Sequence, residues 1–180
     1  IYNQYTALQR DSLKKDVEVI PEAKSVIDYL RYRNIKIGVT TNFNSEHMLL
    51  GIQLLKKHDI HIDKAISSSC YDYNHRPNYF MIQDIMNSLK INDPKQVLKV
   101  DDTCLGIQEG KQAECCTAGV ARWSTNMDIS SYDEKHNLDE DTINDKLKKT
   151  RQLLSEQEPT YLINTLTELK HCIDPLYLRN

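Results

Sequence analysis

The sequence lacks the segments that mark membrane-spanning, secreted and nucleic-acid-binding proteins. No apolar run approaches the roughly 20 residues that a transmembrane helix needs, and the first residues show no secretory signal pattern. The net charge is −3, and no run of Lys and Arg is dense enough to follow a phosphate backbone. The sequence therefore predicts no membrane span and no nucleic-acid partner.

The sequence also lacks a framework of paired cysteines. Its five cysteines are an odd number, two of them are adjacent, and none form a CxxC pair. Such a set does not favour disulfides, so we expect a reducing intracellular compartment, either cytoplasmic or mitochondrial. Two histidines, His58 and His61, stand close together, and we interpret them as part of a surface loop rather than as metal ligands.

What is present has the composition of an ordinary globular protein. The 180 residues are 39% hydrophobic and 27% charged, which suits one domain with a real core. The sequence begins at Ile1 rather than Met, and we interpret it as a fragment or a processed product. Ile1, Tyr5 and Leu8 have helical spacing, so residues 1–16 are predicted to be the end of a helix.

Helices and strands are predicted to alternate along the rest of the chain. Amphipathic segments of ten or more residues separate short apolar runs, which is typical of βαβ units and a parallel sheet. The predicted fold class is therefore α/β, with a three-layer, Rossmann-like parallel sheet. The predicted helices are Pro21–Arg33, one capped by Ser45, one beginning at Pro77, about Leu105–Glu114, one beginning at Asp139 and about Thr165–Ile173; the predicted strands are Ile35–Thr40, Lys64–Ser67, Gln96–Val100, Cys116–Ala121 and Tyr161–Ile163.

Hydroxyl-bearing and charged residues stand where the predicted strands end. Thr41 and Asn42 follow the first strand, Arg76 precedes the helix at Pro77, and Asp101 and Asp102 follow the third strand. In an open α/β sheet ligands bind at the carboxyl ends of the strands. A hydroxyl, a guanidinium and carboxylates are the groups that bind a phosphoryl group and a divalent cation. The structural alternatives are a helix cap at Thr41, a surface ion pair at Arg76 and a solvated turn at the two aspartates.

Four segments carry a resemblance to a known family: IKIGVTTNF, NHRPNYFMIQDIM, VLKVDDTCLGIQEGKQA and EPTYLINTLTEL. Through them the chain resembles, over nearly its whole length, the haloacid dehalogenase superfamily, and most closely its phosphonoacetaldehyde hydrolases (phosphonatases). The resemblance implies a haloacid dehalogenase-like core over residues 19–180, and the end of a cap domain or a linker helix over residues 1–18.

The resemblance also implies a reaction and a set of site residues. That family splits the carbon–phosphorus bond of phosphonoacetaldehyde with Mg²⁺, an aspartate nucleophile on the first core strand and a cap-domain lysine that forms a Schiff base. Thr41, Asn42 and Arg76 would bind the phosphate. Asp102 would bind Mg²⁺, and Asp101 is a second candidate metal carboxylate.

The chain departs from the family at the predicted metal carboxylates. The family has a small residue before the first acid and another acid four positions after it, whereas this chain has Asp101 and Gly106. The second acidic position is therefore lost. Asn42 also replaces a family glycine, a change that other members of the superfamily share.

A larger departure is that no part of the chain resembles the nucleophile motif, DxDxT or DxAGT. The Schiff-base lysine and most of the cap are missing as well, so the chain holds no catalytic nucleophile. In the superfamily the nucleophile strand lies at the centre of the sheet, between the strands predicted at Ile35–Thr40 and Gln96–Val100. We expect an upstream segment of the same protein, or another protein chain, to fill that position, because an open slot would leave rows of backbone groups unpaired.

Two main functions follow from these matches and departures. The first is a phosphonatase-like domain that is catalytically degenerate and retained as a structural or scaffold subunit of a larger assembly, which the loss at Gly106 favours. The alternative is the C-terminal part of an active Mg²⁺-dependent phosphonoacetaldehyde hydrolase or a related phosphatase. A phosphate-sensing module, in which Thr41 and Arg76 bind an anion without chemistry, is a third class.

Overall fold

A computed structural model describes residues 10–11, 18–71, 76–129 and 137–177 of the chain. The chain divides into two compact units, Ile1–Ile91 and Asn92–Asn180. The helix predicted over residues 1–16 lies almost entirely outside the described residues, and the domain boundary predicted near residue 18 stays a prediction. Within the described part of the chain, no helix combines the length and the apolar character that crossing a membrane requires.

The first unit alternates helices and strands. Its two strands pair in parallel, with Thr41 opposite Ser67, and form a separate two-stranded sheet. A short 3₁₀ helix, Ser68–Cys70, follows the second strand. The elements in chain order are α1 (Ala23–Tyr32), β1 (Gly38–Thr41), α2 (Ser45–Lys57), β2 (Lys64–Ser67) and α3 (Phe80–Leu89).

The core of the first unit forms where α3 packs against β2. Met81 and Ile85 of α3 are buried against Ile66 of β2, and Tyr71 and Leu89 complete the cluster. Burying each of these large apolar side chains contributes about 1.5–3 kcal/mol. Strand β2 is therefore held by a packed helix.

The second unit contains a three-stranded parallel sheet in the order β3–β4–β5. Ile107, Ala121 and Leu154 are fully buried and form the centre of its core. Short 3₁₀ helices precede β3, follow β4 and follow β5. The main elements in chain order are β3 (Leu98–Asp101), α4 (Cys104–Gln112), β4 (Cys116–Val120), α5 (Glu140–Ser155), β5 (Tyr161–Ile163) and α6 (Leu169–Tyr177).

The predicted α/β class with parallel strands is confirmed, and several bounds differ from the prediction. β2 and β5 have the predicted bounds. β1 begins at Gly38 rather than Ile35, and both β1 and β3 extend one residue beyond their predicted ends. As a result, Asp101 is the last residue of β3 rather than the first residue after it.

The predicted starts of α1, α2, α3 and α6 are wrong. The first helix begins at Ala23 rather than Pro21, and the last begins at Leu169 rather than about Thr165. The cap of α2 is Asn44, whose Oδ1 accepts a hydrogen bond from the His47 N–H at 2.9 Å, and Ser45 is the first helical residue. Asn44 takes this position because its backbone is extended, as an N-cap requires. Pro77 does not begin α3, which starts at Phe80; it follows Arg76 through a cis peptide bond in the turn before the helix.

Four strands have an open edge among the described residues, since β1 and β2 pair only with each other and β3 and β5 pair only with β4. The residues of β3 are all half-buried, and Gly38 of β1 is exposed. β4, which has a strand on each side, buries four of its five residues. An open strand edge is a place where a further strand can pair.

Candidate active site

The end of β1 presents a threonine hydroxyl at a tight turn. Thr41 is the last residue of the strand, and its Oγ1 accepts a hydrogen bond from the Phe43 N–H at 3.1 Å. Accepting this bond fixes the position of the hydroxyl oxygen, while its hydrogen can be donated to a ligand. Asn42 lies in the turn and is exposed. The structural alternative of Thr41 as a helix cap does not hold, because Asn44 caps α2.

Arg76 reaches the same strand end from the turn before α3. One of its guanidinium nitrogens, Nη2, donates to the carbonyl oxygen of Thr40 at 3.1 Å and also contacts the Thr40 hydroxyl. The bonded residue is the immediate neighbour of Thr41. The guanidinium is therefore fixed to the residue that precedes the predicted phosphate-binding Thr41 in the chain.

A series of serine hydroxyls, which the sequence analysis did not single out, supports the turn after β1. The fully buried Ser67, at the end of β2, donates to the carbonyl oxygen of Phe43. Ser69 Oγ lies 2.7 Å from Ser67 Oγ and 3.1 Å from Ser45 Oγ. The run of three serines from Ser67 was the available signal, and only the fold shows that they join β2 to the turn.

The second unit carries the two aspartates. The carboxylate of Asp101 is buried, with 8% of the side chain exposed. Its Oδ1 accepts hydrogen bonds from the Thr103 N–H at 3.0 Å and the Thr103 hydroxyl at 2.7 Å. Its Oδ2 lies 2.9 Å from the ammonium nitrogen of Lys99. Asp101 is thus fixed by three donors of its own unit.

Asp102 lies in the bend between β3 and α4. Its carbonyl oxygen accepts a hydrogen bond from the Ser124 hydroxyl, so the segment after β4 supports this bend. Thr103 then caps α4, because its Oγ1 accepts a hydrogen bond from the Gly106 N–H at 3.0 Å. The Asp102 side chain is half-buried at the position where the strand ends.

The structure brings Thr41, Asn42 and Arg76 together within the first unit, whereas Asp101 and Asp102 belong to the second. That all five serve one site stays a prediction. Over the described ranges, no group of three or more His, Cys, Asp or Glu side chains is arranged to hold a metal ion. His61 lies in an exposed loop beside Asp59, at 3.1 Å from its carboxylate.

Comparison with known proteins identifies the relatives of this chain. The family model of haloacid dehalogenase-like hydrolases matches residues 1–120. The chain is 29% identical to a phosphonoacetaldehyde hydrolase of Aliivibrio salmonicida over 179 residues, which cover 99% of the chain and 66% of that protein. It is 28% identical to a phosphonoacetaldehyde hydrolase of Bacteroides fragilis over 158 residues, which cover 88% of the chain and 59% of that protein.

A solved structure has the same fold. The chain superposes on a phosphonoacetaldehyde hydrolase-like protein from Oleispira antarctica with a TM-score of 0.90 and 22% sequence identity, over 99% of the chain and 64% of that protein. The chain therefore spans about two thirds or less of the length of these relatives.

Proposed function

Because the chain belongs to the haloacid dehalogenase-like hydrolase family, we propose that it forms the phosphate-binding part of a phosphonatase-like hydrolase. Its relatives are named as hydrolases of phosphonoacetaldehyde, and we propose the same substrate class for the whole protein. Residues outside this chain would complete the reaction, since the chain has no candidate nucleophile at a matching position. This proposal gives the end of β1 a chemical role.

The observation that carries the proposal is the bond from Arg76 to Thr40. A guanidinium fixed at a strand end, one residue from a hydroxyl held by a backbone N–H, combines a fixed positive charge with a directed donor. Such groups bind phosphoryl oxygens well, because charge-assisted hydrogen bonds are about twice as strong as neutral ones. A role as an ordinary surface ion pair would not require the contact with Thr40.

The chemistry of these groups follows from the charge of the substrate. The Thr41 hydroxyl would donate to one phosphoryl oxygen, the backbone at Asn42 would offer a further N–H, and Arg76 would neutralise charge on a second oxygen. Because negative charge moves between the phosphoryl group and its neighbours during transfer, fixed donors lower the barrier without having to reorganise. The serine hydroxyls at the end of β2 would keep the turn in its binding conformation.

The described residues account for only one ligand of the proposed Mg²⁺. Magnesium prefers oxygen ligands in octahedral geometry and would screen phosphoryl charge when bound. The described residues do not make a magnesium site by themselves, because no suitable group of three ligating side chains is present among them. We therefore assign Asp102 as one ligand, with the others coming from outside these residues.

The open edges of β1 and β3 fit the same proposal. Each strand has one neighbour among the described residues, and the matched residues cover only 66% and 59% of two relatives' length. We propose that a strand from an upstream segment of the same protein pairs with these edges. A strand from another protein chain is the alternative, and pairing of either kind would satisfy their backbone groups.

A second candidate function is a catalytically degenerate domain retained as a structural subunit. The observation that favours it is Asp101, whose oxygens are taken by Thr103 and Lys99, together with Gly106, which has no carboxylate to offer. In this case the fold and the strand edges would be kept for assembly, and the phosphate-binding groups would have no substrate to act on.

The experiment that separates the two candidates is a turnover assay of the full-length protein. Phosphate release is measured from phosphonoacetaldehyde and from a general phosphate ester, with Mg²⁺ and with a chelator. The hydrolase proposal predicts Mg²⁺-dependent release from phosphonoacetaldehyde. Absence of release from both substrates would contradict it and support the structural subunit.

A further inference from the structure

One face of α4 and one face of β3 are built to enclose a set of charges. Lys99 and Asp101 are two residues apart on β3, so their side chains point to the same side of the sheet. On α4, Gly106, Glu109 and Gly110 share one helix face, because residues three and four apart are neighbours on a helix. The Lys99 ammonium contacts the carboxylate of Asp101 on β3 and that of Glu109 on α4, which shows that these two faces meet.

The two glycines of α4 make room for the side chains of β3. A Cβ atom at Gly106 would lie 1.9 Å from Cγ of Asp101, well inside any possible contact distance. A Cβ atom at Gly110 would lie 2.8 Å from Cβ and Cγ of Lys99. The Asp101 carboxylate therefore occupies the space in which a side chain at position 106 would begin.

The enclosed charges balance one another in part. The Lys99 ammonium nitrogen lies 2.9 Å from Asp101 Oδ2 and 3.2 Å from Glu109 Oε2, and the exposed fractions of the three side chains are 11%, 8% and 0%. A buried charge is tolerated when it is paired and hydrogen-bonded. Asp101 meets this requirement with Lys99 on one oxygen and Thr103 on the other.

We propose that Asp101 is the fixed counter-ion of Lys99, seated over Gly106, and is not a metal ligand. In this arrangement the two positions depend on each other, because the carboxylate at position 101 fits only when position 106 has no side chain. The Asp101 carboxylate and a side chain at position 106 would compete for the same space. The claim about Asp101 and Gly106 stands on packing alone, whereas the contrast with Asp102 rests on the proposed function.

The coupling is tested with a double-mutant cycle in the full-length protein, followed by thermal unfolding. Gly106→Ala should lower Tm by about 4 °C or more, because overpacking against Asp101 is destabilising. In an Asp101→Gly background the same change should lower Tm by less than about 2 °C. The double variant Asp101→Gly with Gly106→Asp should unfold at a higher temperature than Asp101→Gly alone or Gly106→Asp alone. In the double variant a carboxylate reaches Lys99 from α4 instead of from β3.

Gly51→Ala is the matched control, since it is also a helical glycine and a Cβ there meets nothing within 4 Å. It should leave Tm unchanged or raise it, because alanine has the higher helix propensity. An equal loss from Gly106→Ala in both backgrounds would overturn the coupling. If the Gly106→Ala protein cannot be recovered folded, recovery in the Asp101→Gly background supports the coupling and failure there overturns it.

The metal claim is tested by titrating the full-length protein with Mg²⁺ in a calorimeter. Asp101→Asn should change the Mg²⁺ dissociation constant by less than about threefold, whereas Asp102→Asn should raise it by more than about tenfold. An equal weakening by both variants would overturn the assignment of Asp101. If Mg²⁺ binding is unchanged in both, Asp101 keeps its assigned role and the proposed function loses Asp102.

Discussion

At the scale of single residues, the proposed phosphate site depends on two groups at the end of β1, one hydroxyl and one guanidinium. The Thr41 hydroxyl is oriented by the Phe43 N–H, and the Arg76 guanidinium is oriented by Thr40. Each group is held by its own backbone partner, so under the proposed function an arriving anion would not have to order them. This preorganisation is what distinguishes a binding site from scattered polar side chains.

The first prediction concerns anion binding by Arg76. Arg76→Ala should weaken the binding of inorganic phosphate to the full-length protein by about tenfold or more, because a hydrogen bond to a charged group contributes about 1.5–3 kcal/mol. Arg76→Lys keeps the charge but loses the planar guanidinium with its paired donors. Its affinity for phosphate should therefore lie between those of the unchanged protein and Arg76→Ala. Isothermal titration calorimetry measures the three dissociation constants.

Arg33→Ala is the control for the loss of one positive charge, since Arg33 lies at the end of α1 beside Tyr29. It should bind phosphate as the unchanged protein does. Equal affinities for Arg76→Ala and the unchanged protein would remove Arg76 from the site.

The second prediction concerns the reactivity of Cys115. Burial, and then the charge of neighbouring Cys116, raises the pKa of the Cys115 thiol from 9.0 to about 11. Because the thiolate is the reactive form, this rise lowers the reactive fraction about a hundredfold below pH 9. At pH 8, alkylation of Cys115 should be at least about tenfold slower in the folded protein than in urea, as followed by peptide mass spectrometry.

Exposed Cys70 is the internal reference for this experiment. It should be modified at similar rates in the folded protein and in urea, and the rate at Cys115 should rise as the pH approaches 11. Rapid modification of Cys115 in the folded protein at pH 8 would show that its thiol is not buried.

At the scale of elements, the sequence predicted which segments are helices and strands better than where they begin. The bounds of β2 and β5 follow from short apolar runs between clear loops. The start of α2 could not be fixed in this way, because Asn44 and Ser45 are adjacent residues that both favour the cap position. Backbone conformation decides between them, and it depends on the turn that Ser67 holds to Phe43.

The third prediction tests the assignment of this cap. Asn44→Ala should lower the free energy of unfolding by about 1 kcal/mol, because it leaves the His47 N–H without its acceptor. Ser45→Ala removes an exposed hydroxyl contact at 3.1 Å and should change the stability by less than about 0.5 kcal/mol. Urea unfolding of the full-length variants measures both, and a larger loss for Ser45→Ala would restore the sequence-based assignment.

The strands show a second limit of sequence patterns. The apolar runs of β1 and β3 predict buried strands, yet only β4 is buried along most of its length among the described residues. A strand is buried by its neighbours as well as by its own residues. The half-exposed edges are therefore consistent with a partner strand that these elements do not supply.

At the scale of the whole molecule, the sequence predicted where the candidate residues lie along the fold. It did not predict which other residues they contact. The positions of Thr41, Asn42, Arg76 and Asp102 at strand ends and turns follow from the alternation of helices and strands. The pairing of Asp101 with Lys99 does not, because it depends on how the glycine face of α4 meets β3. A pair of adjacent acids in the sequence thus corresponds to two side chains in different surroundings.

The most direct test of the proposed site is a crystal structure of the full-length protein with Mg²⁺ and phosphate. We expect phosphate oxygens within hydrogen-bonding distance of the Thr41 hydroxyl and the Arg76 guanidinium. We also expect Mg²⁺ on the Asp102 carboxylate, Asp101 still bonded to Lys99, and a further strand paired with β1 and β3. Phosphate bound away from Thr41 and Arg76 would contradict the proposed function, and unpaired edges at β1 and β3 would contradict the proposed strand.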